Sequence, residues 1–153
     1  MFNTLLSKWL VVALLALAPI SEVRIAILTG IGFELSPFAV FWIAVLFNSL
    51  VFVPIYFVLQ FFYTKWLSRI NFIKKSVETT RTKTEKYVEK YGFLGMVLFV
   101  GLPLPLSGVW SATILAWVLG MDWRKTWTSI ILGVMLSGLF VLAGTMGLIK
   151  LLW

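Results

Sequence analysis

The chain has 153 residues, 61% of them hydrophobic, no cysteine, no histidine and a formal net charge of +7, and its mean hydropathy is +1.00. Without cysteine there are no disulfides, thiolate metal sites or cysteine nucleophiles; without histidine the commonest metal ligand, general base and neutral-pH switch is gone. Several apolar stretches approach or exceed the roughly 20 residues that cross a bilayer and show no period of two, so the composition predicts one all-α integral membrane domain.

The first element, residues 1–37, is apolar over 4–33 but broken at Pro19, where PISEVRIAI (19–27) sets Glu22 and Arg24 into a greasy run. Lys8, an apolar run and Ala16-Leu17-Ala18 imitate a signal peptide. The proline after the would-be cut, and a counterpart of the segment later in the chain, argue against cleavage. Residues 38–63 form an almost unbroken apolar run, ample for one crossing. Residues 64–91 are charged: eight basic side chains, among them Lys74, Lys75, Arg81 and Lys83, against Glu78, Glu85 and Glu89. The positive-inside rule makes this connector cytoplasmic. Trp66, Ile70, Ile73 and Val77 recur at helical spacing, so its first half is expected to lie on the membrane surface as an amphipathic helix. The positive charge crowds into this one segment, which membrane topology explains better than a nucleic-acid partner does. Residues 92–125 are apolar up to 121 and broken at Pro103 and Pro105, and residues 126–152 are a second long apolar run.

The two broken segments resemble each other. PISEVRIAI from 19 aligns with PLSGVWSAT from 105, pairing Pro19 with Pro105, Ser21 with Ser107, Val23 with Val109 and Ala26 with Ala112. Each is followed by a turn and a long apolar helix, so the chain reads as two copies of one unit joined by the connector. Each arm of a broken segment is roughly 20 Å of helix at 1.5 Å per residue, too short for the ~30 Å hydrocarbon core. If 92–121 crossed completely, Arg124 and Lys125 would lie opposite the connector, against the positive-inside rule. A re-entrant hairpin keeps them beside it. Two hairpins then enter from opposite leaflets, and the units are inverted, as in secondary transporters. Four plain crossings are the alternative.

Irregular backbone at membrane depth survives only inside protein or beside a water-filled cavity. Ser21 and Ser107 stand where they would cap the helices after the breaks. Glu22 suits a helix N-terminus, while Arg24 in the first turn calls for an anion: Glu22 itself or a bound ligand. Residues two apart on a regular helix do not face each other, so the two pair directly only if the tip is irregular. A structural ion pair, a site in which Glu22 carries a proton and Arg24 holds a headgroup, and a pair that snorkels to the surface are the three readings. Asn48 and Ser49, and Ser137 and Gly138, fall near the middle of the two long runs at the expected depth of the tips; Asn48 suits interhelical glue or a polar contact. Gly108 adds a backbone donor and Trp110 a cavity wall. Gln60 is expected at the interface. Gly133, Ser137, Gly138, Ala143, Gly144 and Gly147 give the last helix a small-residue surface for close packing. Trp9, Trp66, Trp123, Trp127 and Trp153 are expected as interfacial anchors. There is no nucleophile–base pair, metal cluster or Walker-type loop, so neither enzymatic chemistry, a cofactor nor ATP-driven transport is expected.

At PISEVRIAILTG (19–30) and YGFLGMVLFVGLPLPLSGVWSATILAWVLGMDWRK (91–125) the chain resembles the small multidrug export proteins, distant relatives of the DedA/VTT membrane proteins. The resemblance covers nearly the whole chain. It departs at Leu28, where a second proline is common, at Leu106-Ser107, where glycine and threonine are common, and in lacking an arginine inside the second hairpin. The resemblance implies a transporter-like fold with two re-entrant hairpins and a role in moving amphipathic or lipid-like molecules, including phosphate-bearing ones, or in scrambling lipids. The expected partners are membrane lipids, such a small molecule, protons and a second copy of the chain, in a prokaryotic cytoplasmic membrane. A membrane scaffold working through the connector and a four-crossing drug/proton antiporter are the alternatives.

Overall fold

The computed structural model describes residues 2–66, 69–102 and 107–152. Among these the protein is all-helical: α1 (Phe2–Leu17), α2 (Glu22–Gly32), α3 (Pro37–Leu50), α4 (Phe52–Lys65), α5 (Asn71–Gly101), α6 (Val109–Leu119) and α7 (Trp123–Leu152). Two helical stretches, Pro37–Lys65 and Trp123–Leu148, are long and apolar enough to cross a membrane. The expected tips Pro103 and Pro105, and Trp153, lie outside the described residues.

Helix α1 stops at Leu17 because Pro19 follows and the residues before a proline are pushed out of helical geometry. Helix α2 then packs along α1. Lys8, near the start of α1, donates from Nζ to the carbonyl of Phe33 just past the far end of α2 (3.0 Å). That bond satisfies an orphan carbonyl with a cation at the negative end of the helix dipole. Gly30 sits against Val40 and Val12, where an added Cβ would collide with Val40, so its lack of a side chain lets α1, α2 and α3 approach closely.

The long run 38–63 was expected to be nearly unbroken, but it is interrupted at Val51. Pro54 has no N–H, so the carbonyl of Leu50 loses its helical donor. Around it the ladder slips: Val51 N–H donates to Asn48 O (3.3 Å) and Ile55 N–H to Val51 O at a long 3.5 Å. Helix α3 packs on α1 and α2, and α4 on α6.

The connector departs from expectation in two ways. The surface helix does not begin at Trp66: Trp66 ends α4, Ile70 precedes α5, and both are exposed. From Asn71 onward no break occurs at 91/92, and the connector and the first arm of the second broken segment are one helix of 31 residues. The reason is local. Residues 71–91 contain neither glycine nor proline, and their many Lys, Glu and Arg side chains are good helix formers. Helix α6 packs back along α5, and α7 packs along α5, α3 and α2. Asp122 opens α7 by accepting at Oδ1 from the N–H groups of Arg124 (2.9 Å) and Lys125 (3.1 Å). On α7 the small residues divide. Gly133 meets Val100 and Gly138 meets Phe41 and Ile27, whereas Gly144 and Gly147 meet nothing among the described residues. Trp127, expected as an interfacial anchor, instead packs against the core.

Candidate functional site

The breaks after α1 and before α6 meet, and the residues singled out from the sequence gather there. The last carbonyls of α1 have no helical donors, and three side chains from three directions supply them. Ser21 Oγ–H donates to Leu15 O (2.6 Å), Asn48 Nδ2 from α3 to Ala16 O (2.7 Å), and Trp110 Nε1 from α6 to Leu17 O (3.2 Å). Ser21 holds the N-cap position of α2 but makes no side-chain cap bond, so its expected role is corrected: it closes the helix before the break, not the one after. Pro19 lies exposed in the turn itself.

Glu22 begins α2 in left-handed backbone geometry, φ +48°, which costs a non-glycine residue about 1–2 kcal/mol. The irregular tip aims its carboxylate across to α6. There it accepts hydrogen bonds from the backbone N–H groups of Val109 and Trp110, and it feels the charge of Arg24. A buried carboxylate (8% exposed) thus caps the positive end of an 11-residue helix belonging to the other half of the chain. Gly108 makes this possible. A Cβ there would overlap the Glu22 carboxylate, while the backbone at Gly108 is extended and open to any residue (φ −109°, ψ −173°). Glycine is needed here for space, not for conformation. Gly108, not Ser107, is the N-cap residue of α6, and its N–H donates to Ser111 Oγ (3.2 Å).

Arg24, two residues further on, reaches the segment on the other side of the second break. Its Nη2 donates to Leu102 O (2.9 Å), Ser107 Oγ (3.1 Å) and Ser107 O (3.4 Å), and its Nε to Ser137 Oγ (3.2 Å). Ser107 Oγ–H in turn donates to Leu102 O (2.9 Å). The guanidinium therefore bridges α2, both described sides of the second break, and the middle of α7. Ser137 was noticed in the sequence as a polar residue at mid-depth of the last helix; its pairing with Arg24 was not.

Asn48 is 1% exposed, and among the described residues neither its Oδ1 nor the neighbouring Ser49 Oγ has a hydrogen-bond partner. Trp110 forms one wall of an apolar hollow of about 460 Å³ that Leu17, Pro54, Val58, Leu59 and Ile114 help to line. Among the described residues no three carboxylates come together as metal ligands.

Sequence reasoning placed Arg81 in the basic connector but missed its hold on α6. It stands on the connector part of α5 and donates from Nη2 to Trp117 O (2.9 Å) and from Nε to Val118 O (3.4 Å), the last carbonyls of α6. Its guanidinium also lies over the rings of Trp117 and Tyr63. Gly120, at φ +73°, turns the chain beside it in the left-handed geometry that ends helices. Helix α6 is thus held at its N-terminus by an acid and at its C-terminus by a base, each from another element. Gln60, expected at the interface, accepts at Oε1 from Trp117 Nε1 (3.0 Å).

Comparison with curated proteins and with solved structures gives no match. A family model does match: the one described as "Putative small multi-drug export protein" covers residues 22–140, from Glu22 through both breaks into α7. The match takes in Glu22, Arg24, Asn48, Ser107, Gly108, Trp110 and Ser137, and it spans most of the chain, which therefore belongs to the small multi-drug export protein family.

Proposed function

We propose that the protein is a small membrane transporter in which α1–α2 and α5–α6 are re-entrant hairpins from opposite leaflets. Their tips meet at the midplane and handle an amphipathic or lipid-like substrate. The observation that carries this is the crossed clasp: Glu22 of one hairpin caps the helix of the other, while Arg24 binds the backbone on both sides of the other's break. Charged groups at membrane depth are costly and mark transport pathways more often than packing, and broken helices facing each other are the usual place for a transported molecule.

Contacts along the long span support the inverted arrangement. Its 29 residues make about 43 Å of helix at 1.5 Å per residue. Helices α1 and α2 pack on its first half; Tyr63 and Gln60 near its last turns meet Trp117 at the end of α6. Asn48, halfway along, meets the tip of α1. In this reading the hairpin bases lie toward opposite ends of the span and the tips near its centre, with the connector and Lys125 on the cytoplasmic side by the positive-inside rule.

In this reading Arg24 anchors a polar or anionic headgroup and Glu22 carries a proton. Ser21, Ser107 and Gly108 hold the tip backbone, and Asn48 and Trp110 line the way. Two crossings per chain favour a homodimer, since hairpins need protein around them. Flux from proteoliposomes tests the reading, with a fluorescent phospholipid, a polyprenyl phosphate and a cationic dye as probes. Glu22→Gln and Arg24→Ala proteins that fold normally are expected to abolish flux of one of the three. Wild-type flux of all three in both variants would refute it. A non-transporting scaffold is the second reading, favoured by the tie of Arg81 from the connector to α6. It predicts loss of function only on neutralising Lys74, Lys75, Arg81 and Lys83. The four-crossing antiporter fares worse, because Lys8 meets Phe33 and Arg81 meets Trp117 only if each pair of arms turns back.

A further inference from the structure

Three helix interruptions converge on the hollow beside Trp110. Helix α1 ends at Leu17, α3 gives way to α4 ahead of Pro54, and α6 begins at Val109. Leu17, Pro54, Val58, Trp110 and Ile114 are among the residues that line it. Val58 also lines a second hollow of about 470 Å³, which continues past Phe57, Phe61 and Phe62 to Thr64, next to the first basic residue of the connector, Lys65. The two hollows share the Val58 side chain on α4. Trp110 belongs to both ends of this geometry. Its backbone N–H binds the Glu22 carboxylate, its indole N–H binds Leu17 O, and its ring faces the hollow.

We propose that the hollow beside Trp110 binds one hydrocarbon chain of an amphiphile whose charged group sits at the Glu22–Arg24 tips, with Trp110 as the joint between head and tail. This deepens the transport reading and rests on it for the placement of the headgroup. The occupant is a chain for three reasons. The hollow lies at the depth of the tips, where the surrounding solvent is hydrocarbon. It is joined to the charged tips by Trp110, which lines the hollow while its backbone N–H binds the Glu22 carboxylate, so a molecule with one charged end and one long apolar end matches both parts. Its volume of about 460 Å³ is less than two turns of a packing helix some 10 Å across, so a second copy of the protein fits it poorly.

The test uses the full chain in vesicles of phosphatidylethanolamine and phosphatidylglycerol, photolabelled with hexadecyl phosphate carrying a terminal diazirine. Labelled peptides are then mapped by mass spectrometry. Labelling is expected on residues 50–59 and 110–114, to saturate, and to be competed by unlabelled hexadecyl phosphate. Ile114→Trp, which fills the hollow, should bring it to background; Val58→Trp repeats the block from the exposed wall should the first variant fold poorly. Inorganic phosphate should not compete; competition by it alone would mean that the headgroup binds without the chain. Uncompeted labelling spread over Leu6, Leu10 and Leu148 would mean annular lipid and overturn the proposal, as would a crosslink between two copies through the hollow. The two readings fail separately. Competed labelling with flux intact in Glu22→Gln and Arg24→Ala leaves a lipid site without transport. Flux lost in those variants with uncompeted labelling leaves transport without a chain site.

Discussion

At the scale of single residues, the charged pair that interrupts the first apolar run is not one local ion pair but two halves of a clasp on another segment. Much of this was legible. A glutamate and an arginine two apart in a proline-broken apolar run had to find partners elsewhere or deform the tip, and the tip deforms at Glu22. What could not be read was the direction of the serines. A hydroxyl beside a helix break donates to the carbonyls of the helix before it as readily as it accepts from the N–H groups of the helix after it. Ser21 and Ser107 both donate backwards, to Leu15 and Leu102. Gly108 gives the sharpest residue-level test. Gly108→Ala is expected to expel the Glu22 carboxylate and lower stability by about 2 kcal/mol, the value of hydrogen bonds to a buried charge, measured by unfolding in detergent. In a Glu22→Ala background the same substitution should cost little, a coupling that a double-mutant cycle isolates. Equal losses in both backgrounds would show that glycine is needed for another reason. Asn48→Ala strips Ala16 of its donor and is expected to cost about 1–2 kcal/mol.

At the scale of elements, hydropathy located both long spans, the basic connector and the two breaks, because each is written in composition. It failed where a helix boundary depends on a single residue or on its absence. Pro54 interrupts the first span although the run stays apolar through it, and no proline separates the connector from the first arm of the second broken segment, where Gly92 is held within α5. The consequence is mechanical. Because α5 is continuous, Arg81 on its connector portion is rigidly joined to the arm that leads to the second break, and it grips the far end of α6. Arg81→Ala should lower stability by about 1–2 kcal/mol, the sum of a helix-terminus charge and a cation–π contact. Arg81→Lys should recover only part, because a lysine lacks the planar fork that reaches two carbonyls while stacking on rings. Thermal unfolding of the three proteins side by side decides this; full recovery by lysine would reduce Arg81 to a point charge.

At the scale of the whole molecule, the pairing of breaks explains how so small a chain shelters irregular backbone. Each break alone would strand several carbonyls and N–H groups in hydrocarbon. Brought together, the two satisfy one another: Trp110 serves Leu17, Glu22 serves Val109, and Arg24 serves Leu102. The likeness of PISEVRIAI to PLSGVWSAT singled out both breaks in the sequence, and the two breaks meet. The partners themselves arise from segments some 80 or more residues apart and were not readable. The absence of native cysteine makes topology directly measurable with single cysteines placed at Ser7, Glu34, Thr82 and Lys125 and a membrane-impermeant thiol reagent. If two hairpins enter from opposite leaflets, Ser7→Cys and Glu34→Cys react from one side of the membrane and Thr82→Cys and Lys125→Cys from the other. Thr82→Cys and Lys125→Cys reacting from opposite sides would contradict it.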